Sequence, residues 1–276
     1  MIPFFAGCGG RDSGGKRRRS LLRCGLVAAV GAMPVLASAQ AASTLPAFIA
    51  AIKPSVLPMG TYNATDSPRF TFRGTGFIVA DGTLLATNYH VLPSAADLEG
   101  GPVLMVMVSR SGDQGNLRRA RVAASDRQRD LALLKLEGPP LPALVLEEAG
   151  AIREGQSIAL MGFPIGGALG FSAVTHRGIV ASMTTSALPA ASAQSLDPRV
   201  VRRLRDGSNL EVIQLDATAY PGNSGGPVFD AETGRVLGIV NQVLVKSTRE
   251  SALTNPTGIT YAVPVRYLLE LLKEVR

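Results

Sequence analysis

The segment Pro221-Gly222-Asn223-Ser224-Gly225-Gly226-Pro227 is the most informative stretch of the chain. A serine enclosed by glycines can attack a carbonyl carbon while neighbouring backbone N–H groups hold the oxygen that becomes negatively charged. Glycine adopts backbone angles closed to other residues and permits close approach of a ligand, which gives the three glycines a chemical reason. Asn, Ser and Gly are also ordinary turn residues, so a simple turn between two strands is the competing interpretation.

A serine hydroxyl is a weak nucleophile that needs an adjacent base, usually histidine. The chain has two histidines. His90 lies in the segment 85–92, directly after two predicted strands, where a loop can present the ring to a cleft. On its own it equally fits a partly buried histidine with a backbone partner. His176 is predicted to be an exposed turn residue.

The third member of such a site is a carboxylate that fixes the tautomer of the imidazole and stabilises the imidazolium. Asp130 opens the apolar run 131–136, so its charge stands at the edge of a predicted strand and can be directed at a neighbour. Capping of the strand start is the simpler explanation for it. Asp126 competes for the role, but Ser125-Asp126-Arg127 is typical of a turn whose aspartate holds the local backbone.

The order His90, Asp130, Ser224, together with the phrases around these residues, resembles the trypsin-like serine peptidases, especially the HtrA (Deg) branch. The resemblance covers the chain from about Leu45 to the C-terminus. It implies an all-β fold of two perpendicular six-stranded β-barrels with a C-terminal helix. The phrases are Gly74-Thr75-Gly76-Phe77-Ile78-Val79, Thr87-Asn88-Tyr89-His90-Val91, Asp130-Leu131-Ala132-Leu133-Leu134-Lys135 and Gly222-Asn223-Ser224-Gly225-Gly226-Pro227, with further matches at 162–164, 178–182 and 261–264.

The resemblance also implies a role for each residue of the site, in the cleft between the barrels. Ser224 attacks, His90 takes and returns the proton, and Asp130 orients His90. The N–H groups of Gly222 and Ser224 form the oxyanion hole, with Asn223 between them. Digestive members have an aspartate in place of Asn223, which pairs with a newly cut N-terminus. Because an amide cannot form that ion pair, activation of this kind is not expected.

The residues expected to bind substrate are Thr218, Val240, Asn241 and Gln242. In the resembled family the residue six positions before the nucleophile, here Thr218, forms the base of the S1 pocket. A Lys or Arg side chain would be buried there without a carboxylate, which is costly, so small or medium aliphatic P1 residues are expected. The strand containing Val240 is expected to pair with an extended peptide.

The first 39 residues are predicted to be an export signal. Residues 16–23 are basic, 26–36 are apolar, and Ala37-Ser38-Ala39 fits a cleavage site. The apolar run is shorter than the ~20 residues of a membrane-spanning helix. Arg18-Arg19 also resembles a twin-arginine signal. Of the 28 Lys and Arg residues six lie here, and of the 21 Asp and Glu one does, which leaves 22 minus 20, a mature charge of +2. Both cysteines, Cys8 and Cys24, lie here too, so no disulfide or metal thiolate is expected in the mature chain.

The remaining residues, 40–276, are predicted to form the protease domain. Its parts are expected to be an N-terminal barrel at about 60–138, a C-terminal barrel at about 143–263 and a helix at 264–276, with a short entry helix at Leu45–Ile52. The proline-rich stretch 138–142 is the candidate boundary, and 184–209 is predicted to be a long surface loop. Short strands separated by Gly, Pro, Asp and Asn favour barrels or sandwiches. Strands are predicted at 70–72, 76–79, 83–86, 103–108, 131–136, 157–161, 178–183, 212–215, 227–229, 236–240 and 259–263.

The sequence therefore predicts a periplasmic or secreted serine endopeptidase that acts on proteins or peptides without a metal or other cofactor. A catalytically idle peptide-binding or chaperone-like module is the alternative, and the α/β-hydrolase type of esterase is disfavoured because its strand-to-helix elbow is absent. The low mature charge argues against nucleic-acid binding, and no stable membrane span is expected. HtrA proteins usually continue into PDZ domains, whereas this chain stops at Arg276, so PDZ functions are not implied. A trimer is compatible with the sequence, and nothing in the sequence requires it.

Overall fold

The computed structural model describes residues 44–109, 116–148, 150, 152–166, 170–186, 210–241 and 258–275. Four features predicted from the sequence lie wholly or largely outside these ranges: the export signal, the two cysteines, Gln242 and the loop at 184–209, of which only 184–186 are described. Those three residues belong to a strand.

The first half of the chain forms a closed barrel of six antiparallel strands in the order β1-β2-β3-β6-β5-β4. The tight turn between β2 and β3 has Ala80 and Gly82 at φ +55° and +84°. A short 3-10 helix, Tyr89–Val91, follows β3 and carries His90. The strands are β1 (Val56–Tyr62), β2 (Phe70–Val79), β3 (Leu84–Thr87), β4 (Val103–Ser109), β5 (Asn116–Asp126) and β6 (Leu131–Leu136).

The second half repeats the arrangement as a closed barrel in the order β10-β11-β12-β9-β8-β7. The strands are β7 (Ser157–Gly162), β8 (Val174–Ser186), β9 (Leu210–Asp216), β10 (Pro227–Asp230), β11 (Val236–Val240) and β12 (Ile259–Pro264). The segment that connects the two barrels makes one parallel bridge to the second, between Leu146 and Val236.

Within the described residues, two α-helices flank the barrels: α1 (Leu45–Ile52) precedes β1, and α2 (Val265–Lys273) follows β12. The core has three parts. One lies inside each barrel, and the third contains residues of both barrels and of α2, including Phe77, Leu133, Met161, Ile239, Leu268 and Leu272. Burial of this shared core fixes the two barrels against each other and holds α2 across them.

The fold class predicted from the sequence is confirmed, with two closed six-stranded barrels and a C-terminal helix. Two strands were not predicted. β1 contains Pro58 and Gly60, and β5 contains three arginines, so neither shows the apolar alternation of a half-buried strand. The position predicted for His176 is wrong, because this residue lies within β8, paired with Leu160 of β7, and not in a turn.

Candidate active site

The carboxylate of Asp130 holds His90 at two points. Oδ1 accepts a hydrogen bond from the backbone N–H of His90 at 2.8 Å, and Oδ2 lies 2.6 Å from its ring Nδ1. A carboxylate can only accept, so Nδ1 carries the proton and Nε2 is left with its lone pair. The two side chains are 30% and 23% exposed, which leaves the ring accessible from the cleft. This arrangement prepares Nε2 to act as a base.

Asp130 sits in an unusual backbone conformation, at φ +55° immediately before β6. Aspartate tolerates this left-handed region better than most residues do. Its carbonyl oxygen accepts hydrogen bonds from Asn88 Nδ2 at 3.0 Å and from the N–H of Tyr89 at 3.1 Å. The start of the 3-10 helix, at Asn88 and Tyr89, is thereby tied to the turn that presents the carboxylate.

Asn241 was predicted to border a substrate pocket, and in the structure its side chain contacts Asp130. It is 2% exposed, and its Nδ2 donates to Asp130 Oδ2 at 2.8 Å. The carboxylate therefore receives hydrogen bonds from the first barrel, through His90, and from the end of β11 in the second barrel. The contact spans 111 positions in sequence, so no local pattern indicates it.

The glycine box forms a tight turn at the junction of the two barrels. Gly222 has φ +103°, and a Cβ there would lie 2.3 Å from the carbonyl oxygen of Phe163. Gly225 has φ +86°, and a Cβ there would lie 2.1 Å from the carbonyl oxygen of Thr75. Glycine is required at both positions by conformation and by space. The turn thus brings the backbone of Ser224, 7% exposed, against the first barrel.

Thr75, in the middle of β2, fixes the box to the first barrel. Its backbone N–H donates to the carbonyl oxygen of Ser224 at 3.0 Å, and its Oγ1 donates to that of Gly222 at 2.7 Å. The same Oγ1 accepts from the N–H of Phe163 at 3.2 Å. Thr75 is fully buried. Sequence reasoning quoted it only within a matching phrase, and its contacts lie up to 147 positions away.

Ser224 and His90 are brought to the same place by the packing around Gly74. A Cβ at Gly74 would meet Val91 Cγ1 at 2.7 Å and the carbonyl oxygen of Ser224 at 3.1 Å. The backbone of Ser224 and the 3-10 helix that carries His90 therefore both approach this glycine. Because Asp130 binds His90, the three residues predicted to act together lie in the same region between the barrels.

Asn223 is fully buried, yet neither Oδ1 nor Nδ2 of its side chain has a hydrogen-bond partner in the described part of the chain. Its backbone is well bonded, since its N–H donates to Tyr220 at 3.0 Å and its carbonyl accepts from Gly226 at 2.9 Å. Its Oδ1 would lie 2.8 Å from a Cβ at Gly162, so that glycine makes room for the amide. The amide occupies a closely packed space beside Gly162.

Thr218 and Val240 are the other predicted substrate residues in the described part of the chain, and their burial differs. Thr218 lies in the half-buried segment between β9 and the glycine box. The side chain of Val240 is fully buried in the core of the second barrel, and its N–H and carbonyl are bonded to Gly226 and Gly225 at 2.9 and 3.0 Å. The described contacts of Val240 are therefore internal to the second barrel.

His176 packs behind the segment that leads to the box. Its ring centroid lies 5.7 Å from that of Tyr220, with an angle of 45° between the planes. Burial lowers the pKa of His176 below its ordinary value, and its Nε2 has no partner among the residues described. A neutral, partly buried imidazole fits a packing role here. The structure thus brings His90, and not His176, to Asp130.

The family model that describes the trypsin-like peptidase domain matches residues 74–239, more than half of the chain. The chain belongs to the trypsin-like peptidase domain family. The match begins at Gly74 and ends one residue before the end of β11, so it includes all three residues of the candidate site.

Curated relatives of this trypsin-like peptidase domain include probable periplasmic serine endoproteases described as DegP-like. One from Pseudomonas fluorescens (strain Pf-5) is 29% identical over 204 residues, and one from Hahella chejuensis is 29% identical over 203 residues. Each alignment covers 74% of this chain and 35% of the relative. The aligned part thus spans about a third of the length of these relatives.

Solved structures with the same fold include the HtrA-type protease AlgW with a tripeptide, at TM-score 0.56 and 23% identity. That alignment covers 84% of this chain and 64% of the other. The serine endoprotease from Yersinia pestis aligns at TM-score 0.57 and 20% identity, covering 85% of this chain and 67% of the other. These likenesses support the two-barrel fold.

The described residues contain no group of His, Cys, Asp and Glu arranged to hold a metal ion. None of the helices in that part of the chain has the length and apolar character needed to cross a membrane.

Proposed function

We propose that this trypsin-like peptidase domain is an exported serine endopeptidase that cleaves peptide bonds in proteins through an acyl-enzyme. The observation that carries the proposal is that the Asp130 carboxylate binds both the backbone N–H and the ring Nδ1 of His90, at 2.8 and 2.6 Å. A peptide-binding module has no chemical need for this arrangement. The names of the curated relatives agree with the proposed activity.

In the proposed reaction, Ser224 Oγ attacks the carbonyl carbon of the scissile peptide while His90 Nε2 accepts its proton. His90 then carries positive charge, and the Asp130 carboxylate beside Nδ1 stabilises it. The imidazolium gives the proton to the leaving amine, which departs and leaves the acyl-enzyme. Water, deprotonated by the same Nε2, releases the acid and restores Ser224. Asn241 serves as a positioning residue that orients the carboxylate.

The oxyanion hole in this proposal consists of the N–H groups of Gly222 and Ser224, with Asn223 shaping the turn between them. Thr75 supports it from the first barrel by binding the carbonyl groups of both donor residues. Donors fixed before the reaction need no reorganisation when charge develops on the substrate oxygen. The positive φ of Gly222 is the backbone feature that this turn depends on.

The expected substrates are proteins or peptides with small or medium aliphatic P1 residues. Thr218 would form the base of the S1 pocket, and a threonine has no carboxylate to pair with Lys or Arg. The basic and apolar segments within residues 1–39, together with the periplasmic names of the relatives, support export to the periplasm or beyond. Gln242 is retained as a candidate substrate contact from the sequence alone.

Labelling with a fluorophosphonate probe tests the proposal. Wild-type protein should become labelled and cleave casein, and Ser224→Ala should do neither while keeping its melting temperature. Labelling without casein cleavage would instead favour an esterase or a very narrow specificity. A folded wild-type protein that neither labels nor cleaves would contradict the enzyme, and capture of unfolded peptides would then support the binding module. Sequencing the products of a peptide library would define P1.

A further inference from the structure

The side chain of Arg129, the residue directly before Asp130, leaves the first barrel and contacts α2. Its Nη1 lies 2.7 Å from Glu270 Oε2, and its guanidinium lies 4.6 Å from the centre of the Tyr267 ring. The two partners are three positions apart and share one face of the helix. The same nitrogen lies 3.5 Å from Asp126 Oδ2. One guanidinium thus links the turn that ends at Asp130 to the helix.

The turn between Asp126 and Asp130 connects the contacts of Arg129 to the carboxylate of Asp130. Asp126 Oδ1 accepts from the N–H groups of Gln128 at 2.8 Å and Arg129 at 3.0 Å, which sets the path of the backbone. The next residue, Asp130, is at φ +55°, a conformation that persists only when its surroundings determine it. A shift of Arg129 would therefore rotate the carboxylate that holds His90.

Helix α2 is fixed in turn to the second barrel. Leu268, Leu271 and Leu272 are buried in the core that residues of both barrels share. Arg266 pairs with Glu211 at the start of β9 and also donates to the hydroxyl of Tyr267 at 3.0 Å. The face that receives Arg129 is thereby tied to the barrel that carries the glycine box.

We propose that Arg129 is a positioning residue that, through Tyr267 and Glu270, sets the place of Asp130 relative to the second barrel. The inference rests on the proposed function, since it concerns the alignment of His90 and Asp130 from one barrel with Ser224 from the other. Asn241 joins the barrels at the carboxylate itself, and Arg129 joins them one residue earlier, on the outside.

The expected effect is moderate because the link is partly exposed. The side chains of Arg129 and Glu270 are 32% and 49% exposed, and contacts of this kind contribute little individually. Arg129→Met, which keeps an unbranched apolar stem and removes the guanidinium, should lower kcat about 3- to 10-fold and leave KM unchanged. Arg129→Lys should recover part of this loss because it keeps the charge. High salt should lower kcat of the wild type and have less effect on Arg129→Met.

Arg121→Met is the matched control. Arg121, on β5 of the same barrel, pairs with Glu137 at 2.8 Å and has no described contact with the turn or with α2. Its removal should leave kcat unchanged. Glu270→Gln should reproduce part of the effect of Arg129→Met, and the double variant should lose less than the product of the two single losses. Glu270→Gln also tests the link if Arg129→Met does not fold.

A readout that does not need turnover separates this proposal from the proposed function. The proton on His90 Nδ1 gives a resolved NMR signal that reports its bond to Asp130, and it can be followed in the full chain with Ser224→Ala. Arg129→Met should shift this signal, and Arg121→Met should not. If the signal and kcat of Arg129→Met matched those of Arg121→Met, or if only the melting temperature changed, the positioning role would be wrong. Absence of activity in the wild type would instead contradict the proposed function and leave the NMR test intact.

Discussion

Asp130 and Asn223 flank the same candidate site and are held in opposite ways. Every side-chain and carbonyl oxygen of Asp130 accepts at least one hydrogen bond, and the donors come from both barrels. Asn223 is more deeply buried, yet neither polar atom of its amide is paired within the described residues. Its position is set by backbone hydrogen bonds and by close packing against Gly162.

The difference between Asp130 and Asn223 shows which side chains of this site are held by hydrogen bonds. An unpaired buried polar group costs about 1–3 kcal/mol, and a charged one costs more. The charged side of the site, at Asp130, has every oxygen hydrogen-bonded, whereas the neutral side, at Asn223 in the glycine box, carries the cost of burial. Exchanging the two chemical types, by Asp130→Asn and Asn223→Asp, therefore tests the comparison from both directions.

The largest effect is expected for Asp130→Asn. The amide keeps the shape but can donate to His90 Nδ1, which favours the tautomer with its proton on Nε2 and removes the base. We expect kcat to fall about 10⁴-fold. Steady-state hydrolysis of a peptide substrate and the rate of fluorophosphonate labelling both measure it.

Asp81→Asn is the control for that change. Asp81 lies in the exposed turn between β2 and β3, where its carboxylate receives a hydrogen bond from the N–H of Thr83 at 2.9 Å. It should retain wild-type activity. A variant Asp130→Asn that kept more than about a tenth of the activity would contradict the role of the carboxylate.

The reverse exchange, Asn223→Asp, should act mainly on stability. It places a carboxylate where the amide already lacks partners, and a buried unpaired charge costs about 3 kcal/mol or more. For a domain of this size the melting temperature should fall by about 5–10 °C. The difference in melting temperature from the wild type should become smaller as the pH falls toward about 4, where aspartate becomes neutral.

Asn223→Leu is the companion variant, since it has a similar volume and no polar atoms. We expect its melting temperature to equal or exceed that of the wild type, because it removes two unpaired atoms. Thermal unfolding followed by circular dichroism compares the three proteins. A large destabilisation by Asn223→Leu would show that the amide has partners that matter, and the comparison with Asp130 would then fail.

Asn241→Ala removes a hydrogen bond to Asp130 and should have an intermediate effect on activity. Loss of the donor to Asp130 Oδ2 should lower kcat about 10- to 100-fold with little change in KM. Asn241→Ser, which keeps a donor, should be less impaired. If Asn241 instead bordered the substrate pocket, as the sequence suggested, KM and the P1 preference would change. Cleavage of peptides that differ only at P1 distinguishes the two outcomes.

The short apolar strands between turns were sufficient to predict barrels or sandwiches, and the resemblance to the trypsin-like serine peptidases implied the two six-stranded barrels. The sequence was insufficient for β5, in which Ala120 is the only residue classed as buried, and for β1, where Pro58 lies before the residues that pair with β4. A strand without an alternating apolar face is recognised only once its neighbours are known. Both β1 and β5 form because they pair with neighbouring strands in the folded barrel.

The site shows the same limit. His90, Asp130 and Ser224 stand in recognisable phrases, so a local pattern could find them. Thr75, Asn241 and Arg129 act through contacts with residues far away in sequence, and no spacing or composition signals such contacts. Contacts between distant segments become visible only when the barrels and α2 are assembled, because each of these residues is an ordinary strand or turn residue in its own segment.

The smallest effect is expected at His176, on the Asn223 side. Its Tyr220 neighbour provides the carbonyl that accepts from the N–H of Asn223. Because burial lowers the pKa of His176, the unfolded chain binds more protons at this residue than the folded protein does once the pH drops below about 6.5. The free energy of unfolding should therefore decrease from pH 6.5 downward, until the pKa of the folded state is reached.

His176→Phe removes this titration while keeping a ring beside Tyr220. Its melting temperature should equal that of the wild type at pH 8 and exceed it at pH 5, and the two curves should separate at about pH 6.5. His90, the other histidine, is present in both proteins and cancels from the difference. Parallel curves at all pH values would mean that His176 gains its proton as easily in the folded protein as in the unfolded chain.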